Sequence, residues 1–191
     1  MVMPAPLQEW TAEMVRALPD DGNRYEVLDG ALFVTPAPRL VHQWALLDLF
    51  RQIDRHVERE QLGRTLLSPA DIEYSPRRLV QPDLFVVPFR PGQPPVHWRD
   101  IRDLLLVVEV LSPGTAYADR HRKRRIYLEE GVPDYWIVDL DARLVERWRA
   151  GNDRPDICED QIVWRPSPDR EPLVITLPPF FAAVPGGGSE R

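Results

Sequence analysis

The segment Leu104-Leu105-Leu106-Val107-Val108-Glu109-Val110-Leu111 constrains the fold more than any other part of this chain. A strand with one face in water alternates apolar and polar residues; a near-continuous apolar run marks a central strand covered on both faces. Ser112-Pro113-Gly114 ends the run. The stretch is far shorter than the ~20 apolar residues of a membrane helix. It therefore predicts a sheet buried between other layers. Glu109 is then the anomaly. An unpaired carboxylate in an apolar interior costs several kcal/mol, about what burying two or three leucines contributes. Glu109 needs a cation, a hydrogen-bond network or exposure at the strand's edge.

The rest of the chain supplies strands and helices to surround that run. Thr11 caps a short helix predicted from Thr11 to Leu18, which Pro19-Asp20-Asp21-Gly22 stops. Arg24 to Leu28 and Ala31 to Thr35, joined by Asp29-Gly30, predict a hairpin. Leu46, Leu49, Phe50, Ile53 and Val57 fall on one face of a helix from Leu40 to Glu60, closed by Gly63. Strand patterns follow at Leu66-Leu67 and Asp71 to Tyr74, then a turn, then a strand from Asp83 to Val87 and a loop from Pro88 to Pro95. After the central run, Ala118 to Glu130 reads as a helix ended by Gly131 and Pro133. Tyr135 to Leu140 and Leu144 to Arg149 read as a strand pair, with Ile157 to Trp164 extending the same sheet. The fold class is α/β, a mixed sheet flanked by helices. One domain spans residues 1–185, and residues 186–191 form a disordered tail.

Charge and cysteine content narrow the functional classes. The chain has 24 basic and 30 acidic residues, a net charge of -6, which argues against polyanion binding through overall charge. The one cysteine, Cys158, rules out an internal disulfide or a multi-cysteine zinc site. Met1 to Trp10 lacks a basic segment followed by an apolar core. Expected, then, is a cytoplasmic protein without a membrane segment. Phosphate-cradling glycine loops are absent from the sequence. Of the 24 basic residues, Lys123 is the one lysine and all others are arginine.

Three acids and this lysine carry the chemical signal. Asp83 opens the apolar strand Leu84 to Val87, as Glu109 stands near the end of the central run. If the two strands are neighbours, both carboxylates converge, and such oxygen ligands suit Mg²⁺ or Mn²⁺. Alone, Asp83 is equally the cap of a turn. Glu26 is a third acid, on the first hairpin strand, and an ordinary solvent-facing position suits it as well. Asp119 and Lys123, four apart on a helix, read as a surface ion pair worth tenths of a kcal/mol. In a chain biased toward arginine, a lone lysine marks a place that needs a compact ammonium able to orient or activate water. Arg120, Arg122 and Arg124 on the same helix, with Arg77-Arg78, form a local basic patch suited to phosphates; a solvated helix face explains them too.

The ordered set Glu26, Asp29-Gly30, Pro38, His42; Gln81-Pro82-Asp83-Leu84; Val108-Glu109-Val110-Leu111-Ser112-Pro113; Asp119, Lys123, Tyr127; and Gly131-Val132-Pro133 with Tyr135-Trp136-Ile137-Val138-Asp139 resembles the Uma-two family of restriction-endonuclease-like proteins. That family lies in the PD-(D/E)XK superfamily, and the resemblance runs from about residue 9 to 180. It implies a divalent metal, Mg²⁺ or Mn²⁺, DNA as substrate, phosphodiester hydrolysis and a homodimer. Carried over by position, Asp83 and Glu109 are metal-binding acids, Glu26 is an additional acid of the same metal-binding and catalytic set, and His42 and Tyr127 support the site. The superfamily's lysine, two residues after the second acid, is Leu111 here, so the resemblance implies a lysine relocated to the next helix, Lys123. Two rival readings are a catalytically silent nucleic-acid-binding or scaffold protein on the same fold, and a hydrolase of a small phosphorylated molecule.

Overall fold

The computed structural model describes residues 8–90, 92 and 95–184. The expected tail at residues 186–191 and the domain's end at residue 185 lie outside them. Thr11 caps helix α1 (Ala12–Arg16) by accepting a hydrogen bond from the Met14 amide. Strands β1 (Arg24–Leu28) and β2 (Ala31–Thr35) form the hairpin, turned at Asp29 and Gly30, both at positive φ. Helix α2 (Leu40–Arg59) follows and buries the face carrying Leu46, Leu49, Ile53 and Val57.

The centre is a six-stranded sheet. In chain order its strands are β3 (Gly63–Leu67), β6 (Leu84–Pro88), β7 (Leu106–Val110), β8 (Tyr135–Asp139), β9 (Leu144–Trp148) and β10 (Asp156–Cys158). The spatial order is β10-β9-β8-β7-β6-β3, and only β7 and β8 run parallel. A parallel pair needs a crossover. Here it contains a π-helical segment, Ala118–Lys123, continued by helix α3 (Arg124–Glu129). Strands β4 (Ile72–Ser75) and β5 (Arg78–Val80) join the hairpin in a separate four-stranded sheet of order β2-β1-β5-β4.

The central run is covered on both faces, as its composition requires. Leu106, Val108 and Val110 pack toward α2 and helix α4 (Leu177–Ala183). Val107 packs the other way, with Ile126 and Tyr127 of α3 and with Ile72 and Val80 of the four-stranded sheet. Alternation along a strand puts Glu109 on the side of Val107, beneath α3. Asp83 continues the same alternation before Phe85, and the β6–β7 register, Leu84 opposite Val108, sets it beside Glu109.

Two expectations need correction. The segment expected to extend the main sheet divides: β10 pairs with β9, but β11 (Gln161–Trp164) pairs with β12 (Leu173–Thr176) in a separate ribbon. Ile162, Trp164 and Ile175 are buried in the core that α2 and α4 share. The residues after Tyr74, expected as a turn, include β5, which pairs with both β1 and β4. Among the described residues no helix is long and apolar enough to cross a membrane.

Candidate active site

The four residues singled out in the sequence come together. Glu26, Asp83, Glu109 and Lys123 are each 1–2% exposed, although they come from β1, the turn before β6, β7 and the crossover helix. Lys123 Nζ lies 2.9 Å from Glu109 Oε1 and 3.0 Å from Glu26 Oε1. The relocated ammonium thus reaches the acid on the central strand from α3's side. Tyr127, one helical turn on, donates its hydroxyl to the same Glu109 oxygen at 3.1 Å. Glu26 Oε1 also accepts the Gln81 amide at 2.7 Å.

Asp83 is held by a different set of donors. Arg24 NH1 donates to Oδ1 at 2.8 Å, while His42 Nε2 and the Val110 amide each donate to Oδ2 at 2.9 Å. These contacts fix the carboxylate against the end of β7. Arg24 precedes Glu26 by two residues on β1, so both project from one face of that strand. This period-two relation was a usable signal for Arg24, which the sequence reading did not single out.

Asp119 is the larger surprise. Expected in a surface ion pair, it is 1% exposed, and Lys123 Nζ stands 3.5 Å from its Oδ1. That oxygen is buried without a hydrogen-bond partner. The pair is interior because the π-helical segment lies against the central sheet, where Tyr135 donates its hydroxyl to the Asp119 carbonyl at 3.0 Å.

The electrostatics follow from burial. Burial raises the Asp83 carboxyl, but the hydrogen bond and charge of His42, with the charges of Arg24 and Lys123, hold it well below the carboxylate range. Burial pushes Glu109 well up; Lys123 opposes this, and Asp83, Asp119 and Glu26 add to it. Asp119 is likewise raised by burial, to about 6, against the pull of Lys123 and Thr115. Desolvation disfavours the Lys123 ammonium, but Glu109, Glu26, Asp119 and Asp83 outweigh it and keep the lysine charged.

A cleft of about 240 Å³ opens onto this cluster, lined among others by Arg24, His42, Asp83, Glu109, Asp119 and Ser112. Among the described residues no three acid, histidine or cysteine side chains stand ready-gathered around one point as a metal cage. The donor chemistry nevertheless fits a hard divalent cation. Four carboxylates face two permanent cations, Lys123 and Arg24, the candidate ligands are oxygens, and Asp119 Oδ1 lacks a hydrogen-bond partner.

The basic patch does not face the cleft. Arg120 is bound by Asp139 and Glu146, at 2.8 and 2.6 Å. The Arg122 guanidinium lies over the Phe33 ring and that of Arg124 over Trp148. Arg78 joins Asp29, Glu129 and Glu130, tying the hairpin turn to the end of α3. Arg77 binds Glu9.

The fold is a mixed α/β sheet flanked by helices, with a buried cluster of acids and one lysine at its centre. A crystal structure from Anabaena variabilis, described as a putative nuclease belonging to DUF820, superposes with a TM-score of 0.73. The match covers 91% of this chain and 98% of that chain, at 16% identity. The chain belongs to the Uma2 family, described as putative restriction endonucleases, which matches residues 12–182. No functionally curated protein matches the sequence.

Proposed function

We propose that this protein is a divalent-metal-dependent endonuclease that hydrolyses DNA phosphodiester bonds, acting as a homodimer. The observation that carries the reading is the Lys123–Glu109 contact at 2.9 Å, with Asp83 in register beside Glu109 at the mouth of one cleft. Such a site is assembled from three separate elements around a strand that would be more stable without charge.

Asp83 and Glu109 are the residues to hold a Mg²⁺ or Mn²⁺ ion. When bound there, such an ion would supply charge neutralisation at the scissile phosphate and a lowered pKa for an attacking water. Arg24, His42 and the Val110 amide keep Asp83 ionised and fixed in orientation. The Lys123 ammonium, anchored by Glu26, orients the water and offsets negative charge developing on the phosphate oxygens. Tyr127 steadies Glu109. Water attacks phosphorus and releases its proton to solvent as the new P–O bond forms, the P–O bond to the departing sugar oxygen breaks, and that oxygen takes a proton from solvent. The described residues hold one such site, so cutting both strands of a duplex in one encounter calls for two copies.

The test uses supercoiled and single-stranded DNA with Mg²⁺, Mn²⁺ or EDTA, beside Glu109→Gln and Lys123→Met. Nicking that needs the metal and falls at least 100-fold in both variants is expected. Cleavage in EDTA, or cleavage surviving either substitution, overturns the assignment. Binding without cleavage by the unaltered protein identifies the silent nucleic-acid-binding protein. Hydrolysis of a small phosphodiester but not of DNA identifies the small-molecule hydrolase.

A further inference from the structure

We infer that Asp119, rather than Glu26, is the third carboxylate that binds the divalent cation, and that Glu26 positions Lys123. The inference rests on the metal-dependent reading above and reassigns the ligands of that site.

Access separates the two acids. Asp119 lines the cleft together with Asp83 and Glu109, whereas Glu26 is not among its lining residues. Hydrogen bonding separates them again. Glu26 Oε1 receives both the Gln81 amide, at 2.7 Å, and Lys123, at 3.0 Å. Asp119 Oδ1 is buried with no hydrogen bond, and its one nearby cation is 3.5 Å away. A carboxylate oxygen left so is costly, and a hard cation is the kind of ligand that would offset the cost.

Lys123 does not account for Asp119. Its ammonium lies within 3.0 Å of two other carboxylates, Glu109 and Glu26, and stands farther, at 3.5 Å, from Asp119 Oδ1, to which it makes no hydrogen bond. The local backbone also suits a ligand. Asp119 lies in a π-helical segment, a rare conformation that recurs at functional sites. The preceding Ser112–Thr115 loop forms one wall of the cleft. The Tyr135 hydroxyl holds the Asp119 carbonyl, so the backbone that presents the side chain is fixed.

Mn²⁺ binding to the full chain, followed by titration calorimetry and by the EPR signal of free Mn²⁺, tests the division of labour. Asp119→Asn is expected to weaken Mn²⁺ binding at least tenfold while its metal-free melting temperature does not fall. Glu26→Gln is expected to bind Mn²⁺ within threefold of the unaltered protein yet lose DNA nicking. Asp119→Ser serves as a second variant if the asparagine form does not fold. An Asp119 variant that binds Mn²⁺ within threefold of the unaltered protein, or a Glu26→Gln variant that loses as much affinity, overturns the assignment but leaves a metal-dependent nuclease standing. An unaltered protein that binds no Mn²⁺ at millimolar concentration removes both readings together.

Discussion

Replacing Lys123 with methionine keeps the length and apolar stem of the side chain but deletes its charge. At an effective dielectric constant of about 20, opposite charges about 3 Å apart attract by roughly 5 kcal/mol. Lys123 makes two such contacts and a longer one to Asp119. Desolvating the ammonium cancels much of this, and removing one member of a buried ion pair typically costs about 3–5 kcal/mol. That is the loss expected for Lys123→Met at pH 7 in EDTA. Urea unfolding followed by tryptophan fluorescence measures it, since Trp136 and Trp164 are fully buried. The pH dependence has a definite sign. Lys123 lowers the pKa of both Glu109 and Asp119, so its removal raises them further. Between pH 7 and pH 5 the folded variant then holds more bound protons than the folded parent, and the stability gap narrows as pH falls. Adding Glu109→Gln to Lys123→Met should recover part of the loss, because the two residues are coupled. A variant within about 1 kcal/mol of the parent at pH 7, or a gap that does not change with pH, would refute the buried-cluster account.

Two further outcomes probe the scaffold and the acid cluster. A Cβ at Gly63 would stand 1.8 Å from the Val87 carbonyl oxygen, and the β3–β6 ladder leaves that backbone no room to retreat. Gly63→Ala should cost about 3 kcal/mol and lower the melting temperature by roughly 6–12 °C; an unchanged melt contradicts the pairing. Asp119, raised to about 6, binds its proton more tightly when folded, so its contribution turns unfavourable as pH rises from 4 to 6. In EDTA, Asp119→Asn should therefore stabilise the protein at pH 7 by up to about 3 kcal/mol, with no gain left near pH 4; a loss at pH 7 in urea titrations would mean the carboxylate is satisfied.

The parts of the fold that could be read from sequence are those fixed by local chemistry. Asp29-Gly30 supports positive φ at both turn positions, and the hairpin forms there. The spacing of Leu46, Leu49, Ile53 and Val57 needs no partner to identify a helix face. Strands whose identity depends on a distant partner were less legible. Arg78-Leu79-Val80 is three residues long and becomes a strand because β1 and β4 flank it. Ile157 to Trp164 is apolar enough to be strand, but its sequence does not record that Trp164 lies opposite Leu173 rather than beside β9. Burial against α2 and α4 decides that pairing, and burial is a property of the assembled layers.

The site divides along the same line. An acid in an apolar strand is conspicuous because its cost is local, which is why Asp83 and Glu109 stood out. Asp119 and Lys123 did not look buried, because a carboxylate and an ammonium four residues apart have the same spacing on a wet helix as on a dry one. The basic run from Arg120 to Arg125 likewise does not record its neighbours: Asp139, Glu146, Phe33 and Trp148 within the chain engage Arg120, Arg122 and Arg124. What distinguished Lys123 was the identity of the residue rather than its charge. Its ammonium meets acids from β1, β7 and its own helix at a single nitrogen. A planar guanidinium directs its donors outward along a rigid fork and requires a wider gap between those carboxylates. A chain that uses arginine at every other basic position retains lysine where three acids, Glu26, Glu109 and Asp119, converge on one small buried point.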